Sequence, residues 1–393
     1  MTGPFEPGEA AGLARMQAFQ PRMGRAYAAG RNRDEGPPTR ADAPLRRDVS
    51  ALSPWLRHRL ITEQAAIAAA APHGEHAAKF VSEVLWRGYF KGWLEHRPEV
   101  WSNYCAGRDA ALAAVEGNAG LSRAYTEAVE GRTGIDCFDA WARELVEWNW
   151  LHNHARMWFA SIWIFTLRLP WELGADFFLR HLMDGDPASN TLSWRWVGGL
   201  HTRGKHYLAR RENIVRYTDG RFDPAGLNET AEPLPLDDEP VRRALPPSDP
   251  WPGGDFALLL HPEDCAFSTL DLPRAPVRII GVTPPDRRAA SVAPAVTAFS
   301  ARAVADAAAR AGEHFGCPVD LVSDWPDGDD LPLVAPWLPT GWWRDTVPAH
   351  TSIAWRRQPY DDAIWPLATA GFFKVKAGAG RALGRLGLDL PPL

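Results

Sequence analysis

Seven prolines stand within residues 233–252: Pro233, Pro235, Pro240, Pro246, Pro247, Pro250 and Pro252. Proline removes a backbone donor and fixes φ, so no helix and no central strand runs through such a stretch. Asp237, Asp238 and Glu239 add like charges. Residues 224–254 therefore read as a linker, and the chain must fold as different structures on its two sides. Before the break the apolar residues recur at helical spacing; after it they come in short strand-length runs. The expected fold is mainly α: an extension over 1–48, a helical domain over 49–235, a linker over 236–254 and a small α/β domain over 255–393.

Within the helical part, an amphipathic start lies near Ala10–Phe19. Ser53-Pro54 looks like a cap followed by proline in the first turn, and predicts one Ala-rich helix to about Ala71. A second helix is expected over about Glu75–His96, with Glu83, Trp86, Arg87 and Phe90 on one face. Further helices are expected over Asp136–Glu147, His152–Leu169 and Trp171–Met183, with Asn149 as a left-handed stop. Beyond the linker, Phe256–His261, Val277–Val282 and Val319–Ser323 read as strands and Ala298–Phe315 as a helix. No glycine-rich phosphate loop follows any strand.

Bulk properties exclude several classes. Hydrophobic content is 46 % and charged content 23 %, ordinary for a globular chain, but 19 tryptophans are a surplus. The net charge of -5 argues against broad coating of nucleic acid, while leaving room for a local basic patch. Cys105, Cys137, Cys265 and Cys317 stand apart without a Cys-x-x-Cys pair, so free thiols are expected and metal is not. There is no signal pattern and no apolar run of membrane-spanning length, the nearest being Met157–Pro170. A soluble cytosolic monomer is expected.

Three stretches carry chemistry. Asp184-Gly-Asp186-Pro-Ala-Ser-Asn190-Thr-Leu-Ser-Trp194-Arg-Trp196 sets carboxylates and an amide, able to meet a polar heterocycle edge, before two flat indoles. It also reads simply as a turn and helix cap. Glu83-Val-Leu-Trp86-Arg87 puts an acid and an indole one helical turn apart, as amphipathic helices often do. Asn153, Arg156 and Met157 share a face in the segment Trp150–Met157. After them, Arg203, Lys205, His206, Arg210, Arg211 and Arg216 make a basic run that could grip a nucleic-acid backbone or could be a solvated face.

Together, and in this order, the motifs resemble the DNA photolyase and cryptochrome family over about Tyr27 to Pro224. The resemblance implies FAD as cofactor. It assigns the cofactor to Tyr27, Ser50, Leu52, Ser53, Arg87, Arg156, Asp184, Asp186 and Asn190, with Arg156 paired to Asp184 across two helices. Ser50–Leu56 resembles the loop that contacts phosphate before a helix, although Val49 and Ala51 replace the usual Thr and basic residue, and Ser53 could be only a cap. Glu83, Trp86, Asn153, Met157 and Trp196 are similar to the pocket of the branch that repairs cyclobutane dimers. Trp194 and Trp171 resemble the first two members of an electron chain, with Trp101 the best candidate for the third.

His154, Arg203, Lys205, Arg210 and Arg211 are the expected DNA contacts, although the family usually has Arg where His154 stands. The implied activity is light-driven repair of cyclobutane pyrimidine dimers in damaged DNA by electron transfer from reduced FAD, on a dimer flipped out of the helix. The alternative is a cryptochrome-like blue-light sensor that binds FAD without repair. A light-independent flavoprotein, or a scaffold without cofactor, is a third reading. About 26 residues precede Tyr27, so the family's N-terminal α/β domain and its antenna chromophore are not expected.

Overall fold

The computed structural model describes residues 5–38, 47–202, 204–235, 239–285, 291–326 and 331–393. Its helical part contains α1 (Glu9–Phe19), α2 (Arg25–Gly30), α3 (Ser53–Arg57), α4 (Glu63–Ala70), α5 (Ala78–Glu95), α6 (Glu99–Gly117), α7 (Ala119–Val129), α8 (Asp136–Trp148), α9 (Asn153–Ser161), α10 (Trp171–His181), α11 (Pro187–Gly198) and α12 (Arg211–Tyr217). Its second part contains β1 (Ala257–Leu260), β2 (Arg278–Val282), α13 (Pro294–Phe315), β3 (Val319–Val322), β4 (Leu333–Pro336), β5 (Ile353–Arg356), α14 (Pro359–Ile364) and α15 (Phe372–Gly384). The mainly α architecture with a small α/β part is as expected from the sequence.

The single helix expected over 53–71 is two. Arg59 sits in the left-handed region with φ 51°, which no helix interior tolerates. Thr62 then caps α4 by accepting a bond from the Ala65 N–H at 3.1 Å. Ser53 makes no cap bond; its hydroxyl accepts from the Trp150 indole at 3.0 Å. Asn149 does end α8 in the left-handed conformation, at φ 54°. Its carbonyl accepts from the Met183 N–H at 2.7 Å, tying the end of α8 to the turn after α10. The segment expected as one helix to Leu169 is α9 followed by a π-helical turn, Ile162–Thr166.

Helix α5 is the pivot of the molecule. It packs against α4 and α11 on the helical side and against α14 and α15 on the other. Gly88 and Gly92 permit this second contact: a Cβ on Gly92 would lie 2.8 Å from the Trp365 backbone. The sheet is entirely parallel in the order β3-β2-β1-β4-β5. Strands β1 and β4 are buried throughout, the near-continuous apolar pattern of parallel strands covered on both faces. One apolar core runs without interruption from Phe159 and Trp194 through Leu85 to Phe256, Leu258 and Val304. No helix among the described residues is long and apolar enough to cross a membrane.

The extended segment after residue 239 is fastened at both ends. The Arg243 N–H donates to the His96 carbonyl at 2.7 Å, and the Asp249 carboxylate accepts from the Trp355 N–H at 2.8 Å. Asp237 and Asp238 lie outside the described residues. The four cysteines are free; Cys137 and Cys265 are buried, and burial pushes both thiols up, to about 12 for Cys137.

Candidate functional site

The site begins at the start of α11, where the sequence sets two carboxylates around a glycine. Asp186 is its N-cap: one carboxylate oxygen accepts from the Ser189 N–H at 2.7 Å, Pro187 occupies the first turn, and Gly199 at φ 85° closes the far end. The turn reading of this motif is therefore right, and incomplete. The other Asp186 oxygen is the meeting point of three cations: Lys91 at 3.1 Å, Arg87 at 3.3 Å and Arg57 at 3.9 Å. Burial opposes the charge, but these three cations hold the Asp186 carboxyl well below the usual carboxylate range.

Asp184, in the turn between α10 and α11, pairs with Arg156 of α9 at 2.8 Å, the pair that the resemblance implied across two helices. Arg156 also donates to the Leu151 carbonyl at 2.8 Å and lies 5.8 Å from the Trp150 ring centre. The second oxygen of Asp184 is buried and has no hydrogen-bond partner. Asn149 Nδ2, Thr191 Oγ1 and Trp194 Nε1 are also buried without partners. Buried polar atoms are nearly always bonded in folded proteins, so the unpartnered Asp184 oxygen beside Arg156 keeps an acceptor free. Asn190 is committed through its amide nitrogen, which donates to the Ala175 carbonyl at 2.9 Å.

Tyr27 is buried edge-on against Phe19 and Phe80. Ser50 and Leu52 form a turn in which Ala51 takes φ 51°, and the Ser50 carbonyl accepts from Arg15 at 2.6 Å. Arg87 bridges Glu63 at 2.9 Å and Asp186.

Of the residues assigned to the lesion pocket, Glu83 is ion-paired with Arg31 at 2.6 Å. Burial raises its carboxyl while Arg31 opposes the rise. Trp86 is half-buried, and Phe372 of α15 stacks on it at 3.9 Å and 9°. Trp196 stacks on Tyr207 at 5.7 Å. Tyr207 lines a hollow of about 350 Å³ with His206, Leu208, Arg210 and Asn213. Asn153 is exposed at the start of α9, and Met157 is half-buried one turn on.

The expected DNA contacts divide. His154 is turned into the protein, stacked on Trp158 at 4.0 Å and bonded to the Asn32 carbonyl at 2.9 Å, and burial lowers its pKa. Arg211 is paired with Asp223 at 2.6 Å. Lys205 and Arg210 are exposed and in no ion pair among the described residues. Arg203 lies outside the described residues.

The three tryptophans expected to form an electron chain fall in two separate ring groups. Trp194 is edge-on to Phe178 at 5.1 Å and to Trp163 at 6.2 Å. Trp171 meets Tyr104 at 5.7 Å, and Tyr104 meets Trp101 at 5.3 Å, so Trp101 is reached through a tyrosine. Trp171 and Trp194 are not in ring contact.

What the sequence did not reveal is a buried charge network joining the two parts of the chain. Arg57 pairs with Glu263 at 2.5 Å, and Lys91 with Glu263 at 2.9 Å. Arg59 gathers Glu63, Asp264 and Asp361 at 3.0, 2.7 and 2.5 Å. The Trp337 indole and the Thr340 N–H donate to Glu95 at 3.2 and 2.5 Å. Glu263, Asp264, Trp337 and Thr340 follow β1 and β4, at the carboxyl ends of adjacent parallel strands, where open α/β sheets commonly hold a ligand. Here cations and acids of the helical part take that place. The clue lay in Arg57-His58-Arg59, three basic residues in an apolar setting, but their partners in the second part of the chain are some 200 or more residues away.

His58 lies inside this network and donates through Nδ1 to the Pro262 carbonyl at 2.5 Å. Burial, and then the neighbouring Arg57 charge, hold its pKa at about 3. The unfolded chain takes up a proton near the ordinary histidine value and the folded one does not. Stability is thus whole above about pH 6.5 and falls as pH drops toward 3. At about pH 5 the loss should be about 2 kcal/mol. Urea unfolding at pH 7.5 and 5 checks this: His58→Phe should lose less between the two than the parent, and an equal loss would remove His58 from the account.

Comparison with known proteins places this arrangement. Residues 80–227 match the family model described as the FAD binding domain of DNA photolyase. Over 222 residues the chain is 35 % identical to a deoxyribodipyrimidine photo-lyase of Thermus thermophilus, covering 56 % of this chain and 49 % of that one. It is 30 % identical over 196 residues to the enzyme of the same name from Vibrio cholerae, covering 47 % and 40 %. A solved class III photolyase from Agrobacterium tumefaciens is similar over 54 % of this chain and 42 % of its own, at 26 % identity and TM-score 0.44. The chain spans about half the length, or less, of the curated relatives it matches.

Proposed function

We propose, for a chain that belongs to the DNA photolyase/cryptochrome family through its helical FAD-binding domain, the light-driven repair of cyclobutane pyrimidine dimers in DNA. The observation that carries the cofactor reading is the unspent buried oxygen of Asp184 beside Arg156. A carboxylate with one oxygen on a guanidinium and the other free to accept suits the N–H edge of an isoalloxazine. The residues proposed for FAD are Arg156, Asp184, Asp186 and Asn190 around the ring, and Tyr27, Ser50, Leu52, Ser53 and Arg87 around the remainder. FAD when bound supplies the light absorption and the electron. The protein supplies position and charge.

On the substrate side, Trp86 and Trp196 offer aromatic faces for the unstacked bases. Glu83, its carboxyl raised by burial, would offer a hydrogen bond to a base edge, with Asn153 and Met157 completing the wall. Arg210, unpaired beside the hollow below Trp196, and Lys205 would take phosphates. The partner is damaged DNA. Free cysteines suit the reducing cytoplasm, the setting proposed for a monomer.

Asp184→Ala removes the acceptor and leaves Arg156 without its carboxylate. The purified variant should lose the yellow flavin absorbance that the parent shows; a folded variant with full flavin content would sink the cofactor reading. For repair, an illuminated, reduced sample is mixed with a thymine-dimer oligonucleotide and the repaired strand is separated. Trp196→Ala should weaken lesion binding by about ten-fold or more, since base–aromatic stacking contributes roughly 1–3 kcal/mol.

The second reading, a light sensor without repair, is favoured by one observation: the Glu83 carboxylate is already held by Arg31. Photoreduction without lesion-specific binding or repair would decide for it.

A further inference from the structure

We infer that the exposed face of α15 is a second nucleic-acid contact, in which Phe373 stacks on an unpaired base and Lys374, Arg381 and Arg385 take phosphates. Its location at the lesion mouth rests on the reading of Trp86 given above; the contact itself does not need flavin.

The sequence of α15 divides cleanly by face. Phe372, Val375, Ala379, Ala382 and Leu383 point inward and are buried. Phe373, Lys374, Ala377, Gly380, Arg381, Gly384 and Arg385 are exposed. Phe373 is 81 % exposed, the most exposed large apolar side chain among the described residues. Leaving a whole phenyl ring in water forgoes roughly 1.5–3 kcal/mol of burial, so its position is unexplained by folding. The chain has no acidic residue between Asp362 and Asp389, and has Lys374, Lys376, Arg381 and Arg385 there, a local excess of positive charge in a protein of net charge -5. None of these four is in an ion pair among the described residues; Lys374 donates only to the Thr369 hydroxyl, at 2.6 Å.

Two features select the partner. Phe372 lies flat on Trp86, so α15 packs directly beside the indole that the repair reading assigns to unstacked bases. Between the cations the outward positions are alanine and glycine, so nothing bulky keeps a charged strand from the helix; the cations from Lys374 to Arg385 span about 16 Å at 1.5 Å per residue. A basic helix can also lie on an anionic membrane, but such helices bury their apolar face in lipid. Here that face is buried in the protein and a single ring remains outside. Nucleic acid, which asks for one stacking ring and a row of cations, fits better.

The test uses the full chain, in the dark, with an undamaged labelled single-stranded oligonucleotide, read by fluorescence anisotropy across a salt series. Phe373→Ala should weaken binding by about ten-fold. The triple variant Lys374→Gln, Arg381→Gln, Arg385→Gln should flatten the slope of log affinity against log salt by about two units. Unchanged affinity in the first and unchanged slope in the second overturn the inference. So does binding to phosphatidylserine-containing vesicles that Phe373→Ala abolishes while oligonucleotide affinity stays the same. Flavin absorbance and dimer repair are measured on the same preparations. Repair absent with both losses present sinks only the repair reading; repair present with neither loss sinks only this one.

Discussion

Replacing Asp186 by asparagine should lower the free energy of unfolding by about 3–5 kcal/mol, the cost of breaking a buried ion pair from one side. Asparagine caps a helix as well as aspartate does, so the Ser189 N–H keeps its acceptor and α11 its start. What is lost is the charge that Lys91, Arg87 and Arg57 share. Lys91 and Arg57, at 2 % and 3 % side-chain exposure, are left to share the one carboxylate of Glu263. Urea unfolding measures the loss, and adding Lys91→Met should restore part of it by removing one stranded cation. A single variant within about 1 kcal/mol of the parent would show that the cluster is not held by Asp186. The pH dependence has the same origin. Folding depresses the carboxyls of Asp186 and Glu263, the latter to about 2 against burial that would raise it, through Arg57 and Lys91. Their contribution is whole above the ordinary carboxylate range and is lost as pH falls toward 2.

Arg59→Ala should destabilise by a similar amount, about 3–5 kcal/mol, because Glu63, Asp264 and Asp361 would remain buried with their shared cation removed. Arg59→Gly isolates the second effect at this position. Arginine at φ 51° bears the left-handed strain that glycine escapes, so the glycine variant should be the more stable of the two by about 1 kcal/mol. Both variants should loosen the helical part from the sheet together, since Arg59 holds the turn after β1 and the start of α14. Equal stabilities for alanine and glycine would mean that the backbone relaxes there. An alanine variant as stable as the parent would mean that the three acids do not depend on Arg59.

Much of the candidate site was legible because its signals are local. Asp186, Pro187 and Gly199 carry cap and stop chemistry that acts within a helical turn, and Asn149 stops α8 for the same reason. Arg156 and Asp184 were paired on a resemblance, and the structure brings them together. The helix expected from Ser53 to Ala71 failed because Arg59 takes a conformation that its neighbours in sequence do not announce; the carboxylates that hold it there include two from beyond the linker. Strand β4 escaped notice because Pro332 and Pro336 bracket it, and β5 because its apolar run is only Ile353–Trp355 before two arginines.

The sequence alone determined that a helical part and an α/β part meet across a proline-rich break, and where the helices on either side of the Asp184–Asp186 turn lie. These follow from φ preferences, caps and periodicity, all of which act over a few residues. Only the tertiary structure decided which charges neutralise which. Arg57 with Glu263, Arg59 with Asp361 and Phe372 with Trp86 join positions about 200 to 300 residues apart. Burial removes water as the competing partner, so a charge or a ring must find its complement wherever the packed chain brings one.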